Sequence, residues 1–125
     1  MTSPAPLLEA VGQIAVRVHD LARAKAFYRD VLGLKLAIDA PGLLFFEIGG
    51  LLLMLSRPER AEFDHPSSII YFRTPDIDAA CRTLTARGVT FDDTPHVVHR
   101  DGSRALWMVL FHDTESNPLI LIQWK

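Results

Sequence analysis

The sequence predicts an α+β protein made of two tandem βαβββ modules, and two observations carry that prediction. Residues 13–34, QIAVRVHDLARAKAFYRDVLGL, read as strand, cap, helix and stop. Ile14, Val16 and Val18 alternate with Gln13, Ala15 and Arg17, the period of a strand with two different faces. Asp20 suits a helix N-cap. Leu21, Ala24, Phe27, Tyr28, Val31 and Leu32 then recur at helical spacing, and Gly33 stands where a left-handed residue ends a helix. The same order returns in SIIYFRTPDIDAACRTLTARGVTF, with Asp76 as cap and Gly88 as stop. The caps are 56 positions apart (76 − 20) and the glycines 55 (88 − 33), the signature of an internal duplication.

The bulk properties fit one compact domain over residues 1–125. A chain of 125 residues with 49% hydrophobic content can bury a real core and is not disordered. A net charge of −2 gives no reason to expect nucleic acid. No apolar run is long enough to span a bilayer, so no membrane association is expected. The segment MTSPAPLLEA lacks the basic flank and apolar stretch of a signal peptide, and a cytoplasmic location is the expectation. A single cysteine, Cys81, excludes an internal disulfide framework. It reads as a packed small residue on a helix rather than a nucleophile.

Taken in order, residues 1–6 hold two prolines and small side chains, which predicts a mobile lead-in. The first module covers about 11–56: a strand over 11–18, a helix over 21–32, a short strand over 34–38, then strands over 43–48 and 51–56. Gly49-Gly50 between the last two makes a two-residue hairpin turn. Residues 57–67, rich in proline and charge, form the linker. The second module, 68–124, repeats the order. It has a strand over 68–73, a helix over 77–87, a strand starting at 89–91 and resuming over 96–100, and strands over 105–112 and 119–124.

This doubled order resembles the vicinal oxygen chelate superfamily, which includes glyoxalase I, extradiol dioxygenases and bleomycin-resistance proteins. The segments that carry the likeness are IAVRVHDLARAKAFYRDVLGL and the closing FHDTESNPLILIQ. The resemblance implies curved sheets around a cleft and, commonly, a homodimer. It also implies four metal-ligand positions, which fall here on Gln13, Met54, Ile69 and Ile120. Only Gln13 offers a hard donor, Met54 is a soft thioether, and isoleucine coordinates nothing. No metal is therefore expected at this site, and no cofactor is predicted.

Alternation identifies what surrounds those positions. The turn at Gly49-Gly50 sets Phe45 opposite Met54. If 113–117 is the whole loop of the last hairpin, Leu110 faces Ile120 and Met108 joins that face. The expected cleft is lined by Phe45, Met54, Ile69, Tyr71, Met108, Leu110 and Ile120, with Gln13 as a polar point and Arg17 and Arg73 at the rim. Ile14, Val16, Val18, Ile70, Phe72, Leu119, Leu121 and Trp107 face the helices instead. His96 and His99, three apart, point to opposite faces of a regular strand and share an ion only across a bulge.

Such a lining suits a small apolar or aromatic molecule with one polar or anionic group. The expected function is metal-independent binding of such a ligand by a homodimer. Whether the chain is an enzyme stays open. One alternative is a lyase, isomerase or dioxygenase using a displaced divalent metal at His99 or His112, or using His99 as a general acid or base. Another is an interaction domain whose cleft is filled by its own side chains.

Overall fold

The computed structural model describes residues 7–125; the lead-in expected over residues 1–6 lies outside them. The chain forms two four-stranded mixed sheets. The first contains β1 (Gln13–Arg17), β2 (Lys35–Ala40), β3 (Leu43–Ile48) and β4 (Leu51–Ser56), in the order β1-β4-β3-β2. The second contains β5 (Ile70–Arg73), β6 (His96–Asp101), β7 (Arg104–His112) and β8 (Pro118–Trp124), in the order β5-β8-β7-β6. In each sheet the first strand pairs in parallel with the last, and the other pairs are antiparallel. Two βαβββ modules are thus present, as the duplication implies.

The helices α1 (Leu21–Ala26) and α2 (Ile77–Ala86) follow β1 and β5. The side chain of Asp20 accepts from the Arg23 N–H at 3.0 Å, and that of Asp76 accepts from the Ala79 N–H at 3.0 Å. Each cap satisfies a donor the first helical turn leaves free. Gly88 (φ +97°) ends α2 in a Schellman motif: the Val89 N–H reaches Leu84 O and the Gly88 N–H reaches Thr85 O, both at 3.0 Å.

Three local features depart from the sequence reading. The helix expected over 21–32 widens to a π-helix at Phe27–Val31. The Leu32 N–H bonds to Phe27 O at 2.9 Å. This wider turn seats two consecutive aromatics in the core, Phe27 and Tyr28, edge to face at 5.5 Å. Residues 89–91 form no strand: Val89 and Leu84 are both buried around the Schellman motif, and the Phe91 ring packs tilted against Phe111 with centroids 5.4 Å apart. Their apolar character anchors a loop. Finally, bulges interrupt β2 at Ala37 and β6 at Val98. The second bulge places His96 opposite Met108 and His99 opposite Leu106, so the two histidines share a face.

The helix-covered faces of both sheets meet in one core, where Val16, Val18, Tyr28, Phe46 and Leu53 pack with Ile77, Leu84, Val109, Phe111 and Leu119. Ile14, Ile70, Phe72 and Trp107 flank it, on the side that alternation assigns them. A buried polar junction ties the modules together. Tyr28 donates to Asp113 at 2.7 Å, Asn117 Nδ2 donates to the same carboxylate at 2.9 Å, and the Glu115 and Asn117 N–H groups bond its other oxygen. Among the described residues no helix is long and apolar enough to cross a membrane.

Candidate functional site

With the helix faces turned inward, the opposite faces of the two sheets turn outward, and the site residues lie on them. On the first sheet, Gly49 and Gly50 both take positive φ, and the hairpin sets Ile48 opposite Leu51 and Phe45 opposite Met54. Ala15 pairs with Met54 on the other side. Phe45, Met54, Gln13 and Arg17 therefore share one face, and Gln13 Nε2 donates to Met54 Sδ at 3.7 Å. On the second sheet, Tyr71, Ile120 and Leu110 form one cross-strand row, and Arg73, Ile122 and Met108 the next. Ile120 is buried between its neighbours, whereas Ile69 and Tyr71 are 46% and 52% exposed.

The chain thus gathers these residues in two groups on two sheets. A pocket lies beside the first group. It has a volume of about 380 Å³, with Ala15, Leu43, Met54 and Ser56 as its floor and Arg17 at its side. Its outer wall is the inter-module segment, through Arg57, Pro58, Glu59, Phe63, His65 and Ser67. No residue of the second sheet lines it. The sequence marks this segment only as a linker. Its apolar members Pro58 and Phe63, spaced without strand or helix period, give no sign of the role.

The segment is fastened by polar contacts. Arg17 N–H donates to Ser67 Oγ at 3.2 Å, and Arg17 Nη1 donates to Asp64 Oδ1 at 3.1 Å. The same Asp64 oxygen lies 3.2 Å from His19 Nε2. The His19 hydrogen bond, with Arg17 adding to it, holds the Asp64 carboxyl below the usual carboxylate range. Glu115 reaches across from the second module and accepts from the His19 and Asp20 N–H groups at 2.8 and 3.2 Å.

The remaining histidines are dispersed. His96 lies 3.4 Å from Asp93, and His112 lies 3.4 Å from Asp92. The His99 ring meets Trp124 edge-on at 6.1 Å and, among the described residues, has no carboxylate beside it to fix its tautomer. Among the described residues no three His, Cys, Asp or Glu side chains converge as a metal-binding group. At the four positions that the resemblance marks for a metal, an amide, a thioether and two isoleucines do not fit a hard divalent ion.

Two βαβββ modules, each a mixed sheet with its helix on one face, define the class of fold. The Glyoxalase/Bleomycin resistance protein/Dioxygenase superfamily profile matches residues 10–118, and the chain belongs to that superfamily. It is 27% identical over 75 residues to the metallothiol transferase FosB of Staphylococcus haemolyticus, a match covering 58% of this chain and 54% of that protein. The match thus spans about half the length of that curated relative. Among solved structures, TnmS3, an antibiotic binding protein from Streptomyces sp. CB03234, superposes with a TM-score of 0.74. It is 27% identical, with 97% of this chain and 100% of that one covered. Lactoylglutathione lyase from Agrobacterium tumefaciens superposes with a TM-score of 0.72 at 23% identity, covering 92% of this chain and 93% of that one.

Proposed function

We propose that the protein binds a small apolar or aromatic molecule, without metal, in the pocket beside Met54. The observation that carries this reading is a pocket of about 380 Å³ with Met54, one of the four positions that the resemblance marks for a metal ligand, on its largely apolar floor. That size falls within the usual range for small-molecule sites. The full-length similarity to an antibiotic binding protein points the same way. The similarity to FosB supports the rival reading, a metal-dependent transferase or lyase.

Elemental analysis of protein purified without chelator separates the two. Less than a tenth of an equivalent of zinc, iron, nickel or manganese is the expected result. About one equivalent, lost on Gln13→Ala, would overturn the metal-free reading.

We also propose a homodimer in which the first module of one copy faces the second module of the other. Ile38, Ile69, Tyr71 and Trp124 are large apolar side chains, each at least a third exposed, on the faces the helices leave bare. In each sheet the first strand is also an edge. Covering an edge and an apolar face together with a two-fold partner is a common solution. The exchange would bring the second group of lining residues, Ile69, Tyr71, Arg73, Met108, Leu110 and Ile120, to the first. Sedimentation at micromolar concentration should give about twice the 14.0 kDa chain mass. Tyr71→Glu should shift it to monomer, and a wild-type monomer throughout that range would refute the dimer.

A further inference from the structure

Arg17, which lines the same pocket, is paired with Asp64, and the geometry of that pair says more about the ligand than the apolar floor does. Arg17 projects from β1 with its side chain 25% exposed, while Asp64 sits on the outer segment at 48%. A guanidinium has five N–H donors arranged to grip a carboxylate with two parallel bonds. Asp64 engages it through Nη1 alone, with an oxygen already shared with His19. The pairing is single and exposed, so it is weak. Residues 57–67 are otherwise lightly held: nine of these eleven residues are exposed, the exceptions being Pro58 and Ser67. Other ties are Arg17 N–H to Ser67 Oγ and Arg57 N–H to Gly42 O at 3.3 Å.

We infer that Asp64 is a built-in stand-in for the carboxylate of the ligand: the pocket takes an aromatic carboxylate, whose anionic end displaces Asp64 from Arg17. This rests on the pocket being the binding site. The ring of such a ligand lies over Met54 and Ala15, against Phe63, which is half exposed and backed by the Arg60 guanidinium 5.5 Å from its centroid. The carboxylate then makes the two-bond grip that Asp64 leaves unmade. Glu59 on the pocket wall and Asp64 on Arg17 set the opposing charge, and Arg17 and Arg57 set the favourable charge. Releasing Asp64 therefore tips the local balance toward an anion.

The test compares 1-naphthoate with the near-isosteric neutral 1-naphthamide by titration calorimetry, and reads the ratio of their affinities. Wild type should prefer the acid. Asp64→Asn should raise the acid-to-amide ratio about tenfold, near 1.4 kcal/mol, and Arg17→Gln should bring it to about one. In the double variant the ratio should stay near one, because the grip that Asp64 blocks is made by Arg17. Glu59→Gln controls for general charge and should change the ratio less than twofold. An unchanged ratio in Asp64→Asn, an equal rise in Glu59→Gln, or a rise that persists in the double variant would each overturn the inference while leaving the pocket as a binding site. If neither compound binds any variant, the pocket itself is not a binding site and both readings fall. Asp64 is exposed, so its variant should keep the wild-type circular dichroism spectrum.

Discussion

Asp113→Ala is expected to lower stability by about 3–5 kcal/mol, among the largest effects a single substitution can have. The carboxylate takes hydrogen bonds from the Tyr28 phenol, the Asn117 amide and two backbone N–H groups, and Asp113 itself is only 8% exposed. Alanine leaves all four donors without that partner. Each unsatisfied buried donor costs about 1–3 kcal/mol, less where water can enter the gap. Domains of this size are stable by about 5–15 kcal/mol in total. The melting temperature should fall by roughly 10–20 °C. Tyr28→Phe removes one bond and should cost about 1–2 kcal/mol. A double-mutant cycle with Asp113→Asn should show coupling near the cost of the shared bond. Asp113→Ala with a shift below about 3 °C would mean that the junction does not hold the modules together.

The same junction gives a pH dependence with a defined sign. Burial, then the Asp113 charge and hydrogen bond, push the Tyr28 phenol far above its ordinary pKa. In the unfolded chain the phenol ionises near pH 10. The folded state holds its proton more tightly, so this contribution is complete below pH 10 and is lost as pH rises beyond it. Alkaline unfolding should therefore steepen above about pH 10 in wild type, and less so in Tyr28→Phe.

The parts of this arrangement that follow from local rules were legible in the sequence. A capping aspartate bonds to a backbone N–H three residues on, wherever it stands, so Asp20 and Asp76 marked both helices. A two-glycine hairpin fixes register, so the turn alone sets Phe45 against Met54. What depended on neighbours in space was not legible. Widening the turn at Phe27 is worthwhile only because a core waits for two adjacent aromatics. The Val98 bulge, which puts His96 and His99 on one face, leaves no mark in an otherwise alternating strand. Alternation also says which side of a sheet a residue occupies, but not which sheet lies opposite. Alternation therefore implies a lining around one cleft, whereas the chain folds with Phe45 and Met54 on one outward face and Tyr71, Leu110 and Ile120 on another. For the same reason residues 57–67 read as a connection, although Phe63 and His65 wall the pocket.

Met54→Trp is expected to weaken binding of an aromatic ligand at least tenfold, about 1.4 kcal/mol, while the fold survives. Met54 is half-buried on the pocket floor, between Ala15 on β1 and Phe45 on β3, and space lies above it. An indole there extends into the cavity of about 380 Å³ rather than into the core, because the core side of β4 belongs to Leu53 and Leu55. Overpacking a filled interior would instead cost roughly 1–3 kcal/mol of stability. The two quantities, read on one sample, separate the possibilities. A stable variant that no longer binds 1-naphthamide identifies the cavity as the site. A strongly destabilised variant, from a parent whose melting temperature no aromatic compound raises, means that the face is filled and serves an interface instead. A stable variant with full affinity places the ligand away from Met54.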